Sequence, residues 1–369
     1  MKFSCDKKNL SEAVFNVSLA VASKSTLIAL EGILLVCKDG QLTLTGYNLD
    51  LGIIKTIPVS MEQEGSVVLN ARLFSEILRK MPSDEISLST DDKLLTLIKG
   101  GGAEFTILGI STAEYPDMPV LKDERNFSMP CFLLKNMINQ TLFAVAVTEQ
   151  TPVHTGSLFD LKDGVLNIVS VDGYRLAMRK EKVNVSEDFS FVVPGKTLSE
   201  VCKLLPDEED QAVKVNVSSK HILFEIAGYT IISRLLEGQF LDYQSAIPKQ
   251  HTTQVKISVK DFSSSIERAS IIITDRIKSP IKSVFEDDSI QISCTTSMGK
   301  VFDSVPAQIE GDPVTIGFNN KYMIDALKAT GCDEVYLEMG GALSPIKVVP
   351  LSSDNFLFLV LPVRLKTES

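Results

Sequence analysis

Short runs of alternating apolar and polar residues fill most of the chain, and a few stretches of helical period interrupt them. The runs Gln41-Leu42-Thr43-Leu44-Thr45 and Val165-Leu166-Asn167-Ile168-Val169 place apolar side chains on one face of an extended segment, as half-buried strands do. Leu10, Val14, Val17 and Val21 instead recur at three and four residues, the stripe of a core-facing helix. From this pattern we expect a helix over residues 7–22, capped by Ser4, and then strands over 28–37, 41–45 and 51–58. A strand over 66–69 and a second helix over 72–81 follow, and strands over 85–89, 94–99 and 103–108 complete the set. The first third of the chain thus reads as a helix followed by several strands, twice over.

The same arrangement returns. Asp39, Asp163 and Asp287 each stand in a turn before an alternating strand, and they lie 124 residues apart (163 − 39 and 287 − 163). A polar or glycine-bearing element follows each strand: Asn48 to Gly52, Asp172-Gly173, and Ser297 to Gly299. A second marker also repeats, an apolar strand leading into a helix: Val67-Val68-Leu69 before Arg72, Val192-Val193 before Lys196, and Thr315-Ile316 before Lys321. Helices are expected over 133–147, 196–205, 259–271 and 320–329. A period near 124 is too long for a solenoid and fits a whole domain. The chain therefore reads as an α+β protein of three similar domains, 1–125, 126–250 and 251–369, joined by polar linkers at Lys122 to Arg125 and Lys249 to Thr253.

Composition narrows the chemistry. The apolar fraction is 44%, with no low-complexity tract and no run near the ~20 apolar residues of a membrane span. The start carries charge at once and lacks the apolar core of a signal peptide. The six cysteines are scattered without a Cys-x-x-Cys, as reduced residues of a cytoplasmic protein are. With three histidines, His154, His221 and His251, no metal site, cofactor or histidine-dependent catalytic site is expected. The formal net charge of −10 opposes general adhesion to nucleic acid, although basic residues gathered on one face would escape that objection.

Such a face is present in the pattern. Arg72 and Arg79, Lys196 and Lys203, and Lys321 and Lys328 each stand seven residues apart on the second helix of a copy, two turns along one side. Leu73, Ile77 and Met81, or Leu198, Val201 and Leu205, are expected to face a core instead. Glu76, Glu200 and Asp325 lie four residues after the first cation of each pair and would form ordinary helix pairs there. Repetition in three copies favours a shared electrostatic purpose, the tracking of a phosphate backbone without reading sequence.

The segment Val171-Asp172-Gly173-Tyr174-Arg175-Leu176-Ala177 resembles a characteristic element of the bacterial DNA sliding clamps, the β subunit of the replicative DNA polymerase. So do Phe240-Leu241-Asp242-Tyr243 through Ile247-Pro248, and the ending Leu359-Val360-Leu361-Pro362-Val363-Arg364-Leu365. The resemblance covers the whole chain and implies a head-to-tail homodimer whose six domains form a ring, with helices around double-stranded DNA and sheets outside. Lys24 and the six helix cations would then face DNA. Phe105 and Ile271-Ile272 would lie at the dimer interface. The resemblance also implies a pocket for short peptides of the replicative polymerase, the clamp loader and other motif-bearing proteins. Its residues here would be His154, Val171, Gly173, Tyr174, Arg175, Leu176, Leu241, Ser245, Ala246, Leu359, Val360, Leu361, Pro362, Val363 and Arg364. The pattern departs from the family at His154, where an aliphatic residue is usual, at Leu241 for a common proline, and at Ser245 and Thr151 for common arginines.

Two other readings compete with the clamp. An enzyme centred on Asp172-Tyr174-Arg175 would need a base or nucleophile at a recognisable spacing, and His154 is the single candidate. A monomeric protein-binding scaffold would show half the solution mass of the ring. Gly100-Gly101-Gly102 lacks the Lys-Ser/Thr of a phosphate-binding loop and reads as a hairpin turn.

Overall fold

A computed structural model describes residues 1–122, 125–148, 150–185, 187–274 and 279–365. Asp123 and Glu124 of the first expected linker lie outside the described residues. One motif is used six times: a strand, a helix, and then three strands. Its first use is strand Lys2–Asp6, helix Lys7–Ser18, and strands Gly32–Lys38, Gln41–Tyr47 and Leu51–Pro58. The other long helices are Ala71–Lys80, Cys131–Thr141, Gly195–Leu204, Val259–Ser270 and Asn320–Thr330. The sequence pattern found the helices and most strands, including those before the second helix of each copy, but missed the strand before the first helix of each copy: Lys2–Asp6, Arg125–Pro130 and Thr253–Ser258. Ser4 consequently sits inside a strand whose Phe3 and Cys5 are buried, and it caps nothing. The cap is Asp6, whose side chain accepts from the Asn9 amide at 2.8 Å. Asn70, Ser258 and Asn319 cap their helices in the same way. The first helix stops at Ser18, short of the expected 22.

The chain groups into two compact units: residues 1–133 with 199–235, and residues 134–198 with 236–369. Each unit therefore takes part of the middle repeat. In the first unit an eight-stranded sheet forms because strand Tyr229–Arg234 pairs antiparallel with strand Leu51–Pro58. A five-stranded sheet accompanies it and ends at strand Ala103–Leu108. In the second unit strand Arg175–Lys182 pairs with strand Phe356–Val360 to build a nine-stranded sheet. A four-stranded sheet there ends at strand Gly299–Pro306. Among the described residues, no helix is long and apolar enough to cross a membrane.

In the second unit, side chains alternate strictly across strand Phe356–Val360. Phe356, Phe358 and Val360 enter a large core with the residues of helices Val259–Ser270 and Asn320–Thr330. Leu357 and Leu359 enter a smaller cluster on the other face, with Val153, Leu158, Val169, Val171, Leu176, Val192 and Tyr243. The candidate site is built on that second face.

Candidate functional site

The site begins with a tight turn. Gly173 has φ +88°, and a Cβ there would meet open space, so conformation and not crowding selects glycine. The Asp172 carboxylate closes the turn, one oxygen accepting from the amides of Tyr174 at 2.9 Å and Arg175 at 3.0 Å. The turn presents Val171 and Leu176 opposite one another, and Leu176 opposite Leu359, so three apolar side chains form a row across three strands. All three are buried. Ahead of this row the main chain of Tyr174 accepts from the Leu361 amide at 2.9 Å, which leads the chain end out beside the turn. The Val363 amide donates to the Gly317 carbonyl at 2.7 Å. Leu361 and Val363 are left partly exposed, and Pro362 is intermediate.

A segment from Leu236 to Ile247 roofs the apolar row. Tyr243 is buried and donates its hydroxyl to Asp160 at 2.7 Å. Burial, and then the hydrogen bond to that carboxylate, push its phenol up to about 12. Leu241, Ser245 and Ala246 are exposed beside it, on and just before the helical turn Tyr243–Ala246. His154 packs edge-on against Phe240, with ring centroids 5.4 Å apart. Burial pulls its pKa below the ordinary histidine value. The structure thus brings together Val171, Gly173, Tyr174, Leu176, Leu359, Leu361 and Leu241 around one apolar face with an exposed rim.

Two expected pocket residues are placed differently. Val360 is fully buried in the opposite, helix-side core, because adjacent strand residues point to opposite faces. The parity of Leu357, Leu359 and Val360 in the sequence carries that information. Arg175 is no open anchor. Its Nε donates to Asp172 at 2.9 Å, and its Nη1 donates to Asp325 at 2.6 Å. Its guanidinium lies 4.5 Å from the Tyr322 ring centre and 5.4 Å from that of Phe143. Arg364 is exposed at the chain end.

The cationic positions fall on the outer sides of their helices: Arg72, Arg79, Lys196, Lys203, Lys321 and Lys328 are all exposed, and so is Lys24. Only the first of the expected helix pairs forms as foreseen, Arg72 with Glu76 at 3.2 Å. Glu200 pairs with Lys203 at 2.7 Å, Asp325 pairs with Arg175, and Lys328 pairs with Glu267 at 3.1 Å. Leu73, expected in the core, is exposed, while Ile77 and Met81 are buried as expected, together with Phe74 and Leu78. The helix begins at Ala71, and its buried face keeps two of the three expected positions.

Phe105 is partly exposed on strand Ala103–Leu108, the open edge of the five-stranded sheet, with Leu108 more exposed still. Ile271 stands exposed just past helix Val259–Ser270, and Ile272 is half-buried. The sequence reading missed Met298 and Phe302, which are exposed at the edge strand Gly299–Pro306. The triple glycine forms the expected hairpin, Gly101 at φ +61° joining two paired strands.

Family comparisons cover the whole architecture. Residues 1–119, 128–242 and 244–364 match, in order, the N-terminal, central and C-terminal domains of the DNA polymerase III beta subunit. The chain belongs to the DNA polymerase III beta subunit family. The beta sliding clamp of Bacillus subtilis is 36% identical over 377 residues, covering 99% of this chain and all of that protein. That of Halalkalibacterium halodurans is also 36% identical, over 379 residues, with the same coverage. The crystal structure of the B. subtilis DNA polymerase sliding clamp superposes with a TM-score of 0.95 at 35% identity, over 99% of this chain and 100% of that one. A putative DNA polymerase III beta subunit from Eubacterium rectale gives 0.94 at 31% identity, over 98% and 99%. The three-domain clamp fold, each domain made of two helix-and-strand halves, is that of the DNA polymerase III beta subunits.

Proposed function

We propose that two copies of this chain, each of three domains spanning about 1–125, 126–250 and 251–369, close head to tail around duplex DNA in the cytoplasm and act without catalysis as a processivity clamp. The ring tethers the replicative polymerase, the clamp loader and other proteins that carry short clamp-binding motifs. The observation that carries this reading is the full-length match, in order, to the three beta subunit domains. The exposed cations at equivalent helix positions support it, since sequence-blind phosphate contacts let a ring slide. The pocket reading is supported by the apolar row Val171–Leu176–Leu359 and its exposed rim, the composition of a site for a partly apolar peptide. The dimer reading is supported by open sheet edges bearing Phe105, Leu108 and Phe302, where unpaired backbone groups and apolar side chains coincide.

Retention on DNA tests the enclosure. Once loaded, the protein should stay on closed circular DNA far longer than on linear DNA of the same length. Equal half-lives would remove the topological mechanism. Replacing Lys196, Lys203, Lys321 and Lys328 by alanine should reduce the salt slope of direct binding by about three or four. Ile272→Asp should convert dimer to monomer in light scattering with an unchanged circular dichroism spectrum.

A further inference from the structure

We propose that Asp325 is a positioning residue for the peptide pocket, holding one of its walls from behind without lining it. This rests on the pocket reading above. The turn Asp172–Arg175 closes on itself through Asp172, whose two oxygens serve the turn amides and Arg175 Nε. The turn's outside support comes from helix Asn320–Thr330. Asp325 accepts from Arg175 Nη1 at 2.6 Å across 150 residues of sequence, and Tyr322 lies under the guanidinium. Tyr322 also stacks on Tyr174, with centroids 6.1 Å apart and 24° between planes. The Arg175 side chain is only 10% exposed, so a single rotamer is held by charge, hydrogen bond and ring together.

What hangs on this clamp is the pocket rim. Tyr174 supplies the carbonyl that receives the Leu361 amide, and Leu176 follows in the same strand. Asp325 therefore fixes, through Arg175, both the turn and the point where the chain end leaves the sheet. A binding wall held by a supporting layer loses affinity when that layer is loosened, although no direct ligand contact is removed. Lys321 and Lys328 lie on the same side of this helix as Asp325. One helix thus carries proposed DNA-facing cations and the brace of the peptide pocket.

The test uses the full-length dimer and a fluorescent peptide carrying a glutamine followed a few residues later by leucine or phenylalanine. Asp325→Ala should weaken peptide binding about tenfold, Asp325→Asn by less, and Asp325→Glu should recover most of the loss. Amide exchange at Tyr174 and Leu361 should accelerate in Asp325→Ala, while thermal midpoint and dimer mass stay near those of the parent. Leu241→Asp, on the rim itself, separates the two layers of inference. If it abolishes binding and Asp325→Ala has less than a twofold effect, Asp325 is not a positioning residue. If Leu241→Asp binds peptide as the parent does, the pocket reading has failed and this proposal falls with it.

Discussion

The first unit contains a counterpart of the candidate pocket, and the two differ in how one gap is filled. At a spacing of 124 residues, Asn48 corresponds to Asp172, Leu49 to Gly173, Tyr47 to Val171 and Gly52 to Leu176. The turns are built alike: Asn48 Oδ1 accepts from the Asp50 and Leu51 amides at 3.1 and 2.8 Å, as Asp172 does for Tyr174 and Arg175. Residue 49, like 173, has a left-handed backbone, at φ +77°. Each counterpart is also roofed by a segment anchored through a buried tyrosine, Tyr115 donating to the Thr45 carbonyl at 3.0 Å and Tyr243 to Asp160. In the first unit the roof continues to Met118, whose methyl occupies the place a Cβ at Gly52 would take. There the chain covers its own apolar row, with Met118 packed against the cluster of Tyr47 and Tyr115. In the second unit Leu176 fills that row from the strand itself, and the residues around it, Tyr174, Leu241, Leu361 and Val363, remain exposed. The two places share the turn and the roof; they differ in Gly52 against Leu176 and in the course of the roof, and the rim is open only where leucine stands.

The largest effect should come from forcing one copy toward the other. Gly52→Leu, measured by denaturant unfolding, should cost about 1–3 kcal/mol by overpacking against Met118. Adding Met118→Ala should return a large part of that loss, a non-additivity expected of side chains competing for one space. Strictly additive losses would break the correspondence between Met118 and the Leu176 side chain.

A smaller effect separates the two turns. Gly173→Ala forces a left-handed alanine and should cost about 1 kcal/mol. Leu49→Gly relieves the same strain at an exposed leucine and should gain a few tenths to about 1 kcal/mol, the unfolded-state entropy of glycine offsetting part of the relief. A destabilised Leu49→Gly would mean that the leucine makes contacts that outweigh its backbone strain.

The smallest effect concerns His154, found only at the open copy. Its pKa is lowered by burial, so the neutral ring is favoured in the folded state. Its contribution to stability is full above the ordinary value near 6.5 and is lost as the pH falls through the lower folded value. An apolar peptide covering the ring extends the same trend. Calorimetric titration at pH 5.8 should find binding about threefold weaker than at pH 7.8, and His154→Leu should remove the difference. Equal dependence in both proteins would place His154 outside the site.

Much of this was legible in the chain. The 124-residue period, the helix positions and the Asp-Gly turn are local patterns, and local patterns survive folding. The strands before the first helix of each copy escaped because they are short and run straight into a helix, as Lys2–Asp6 does into Lys7–Ser18. The partner of Arg175 escaped because Asp325 also has the spacing of an ordinary pair with Lys321, and only tertiary structure sends its carboxylate elsewhere. Leu73 and Val360 were misplaced by a single position, which on a helix or a strand is enough to turn a side chain to another face.

The sheets that run across the repeat boundaries bear on how such a chain can be divided. Strand Tyr229–Arg234 lies against strand Leu51–Pro58, and strand Arg175–Lys182 against strand Phe356–Val360, so the middle repeat has no sheet that closes within itself. Excised as residues 126–250, it would carry two raw edges with apolar faces beside them, the geometry from which edge-to-edge aggregation starts. The repeats are joined by shared sheets and not by linkers alone: separating the middle one from either neighbour bares the edge of strand Tyr229–Arg234 or of strand Arg175–Lys182.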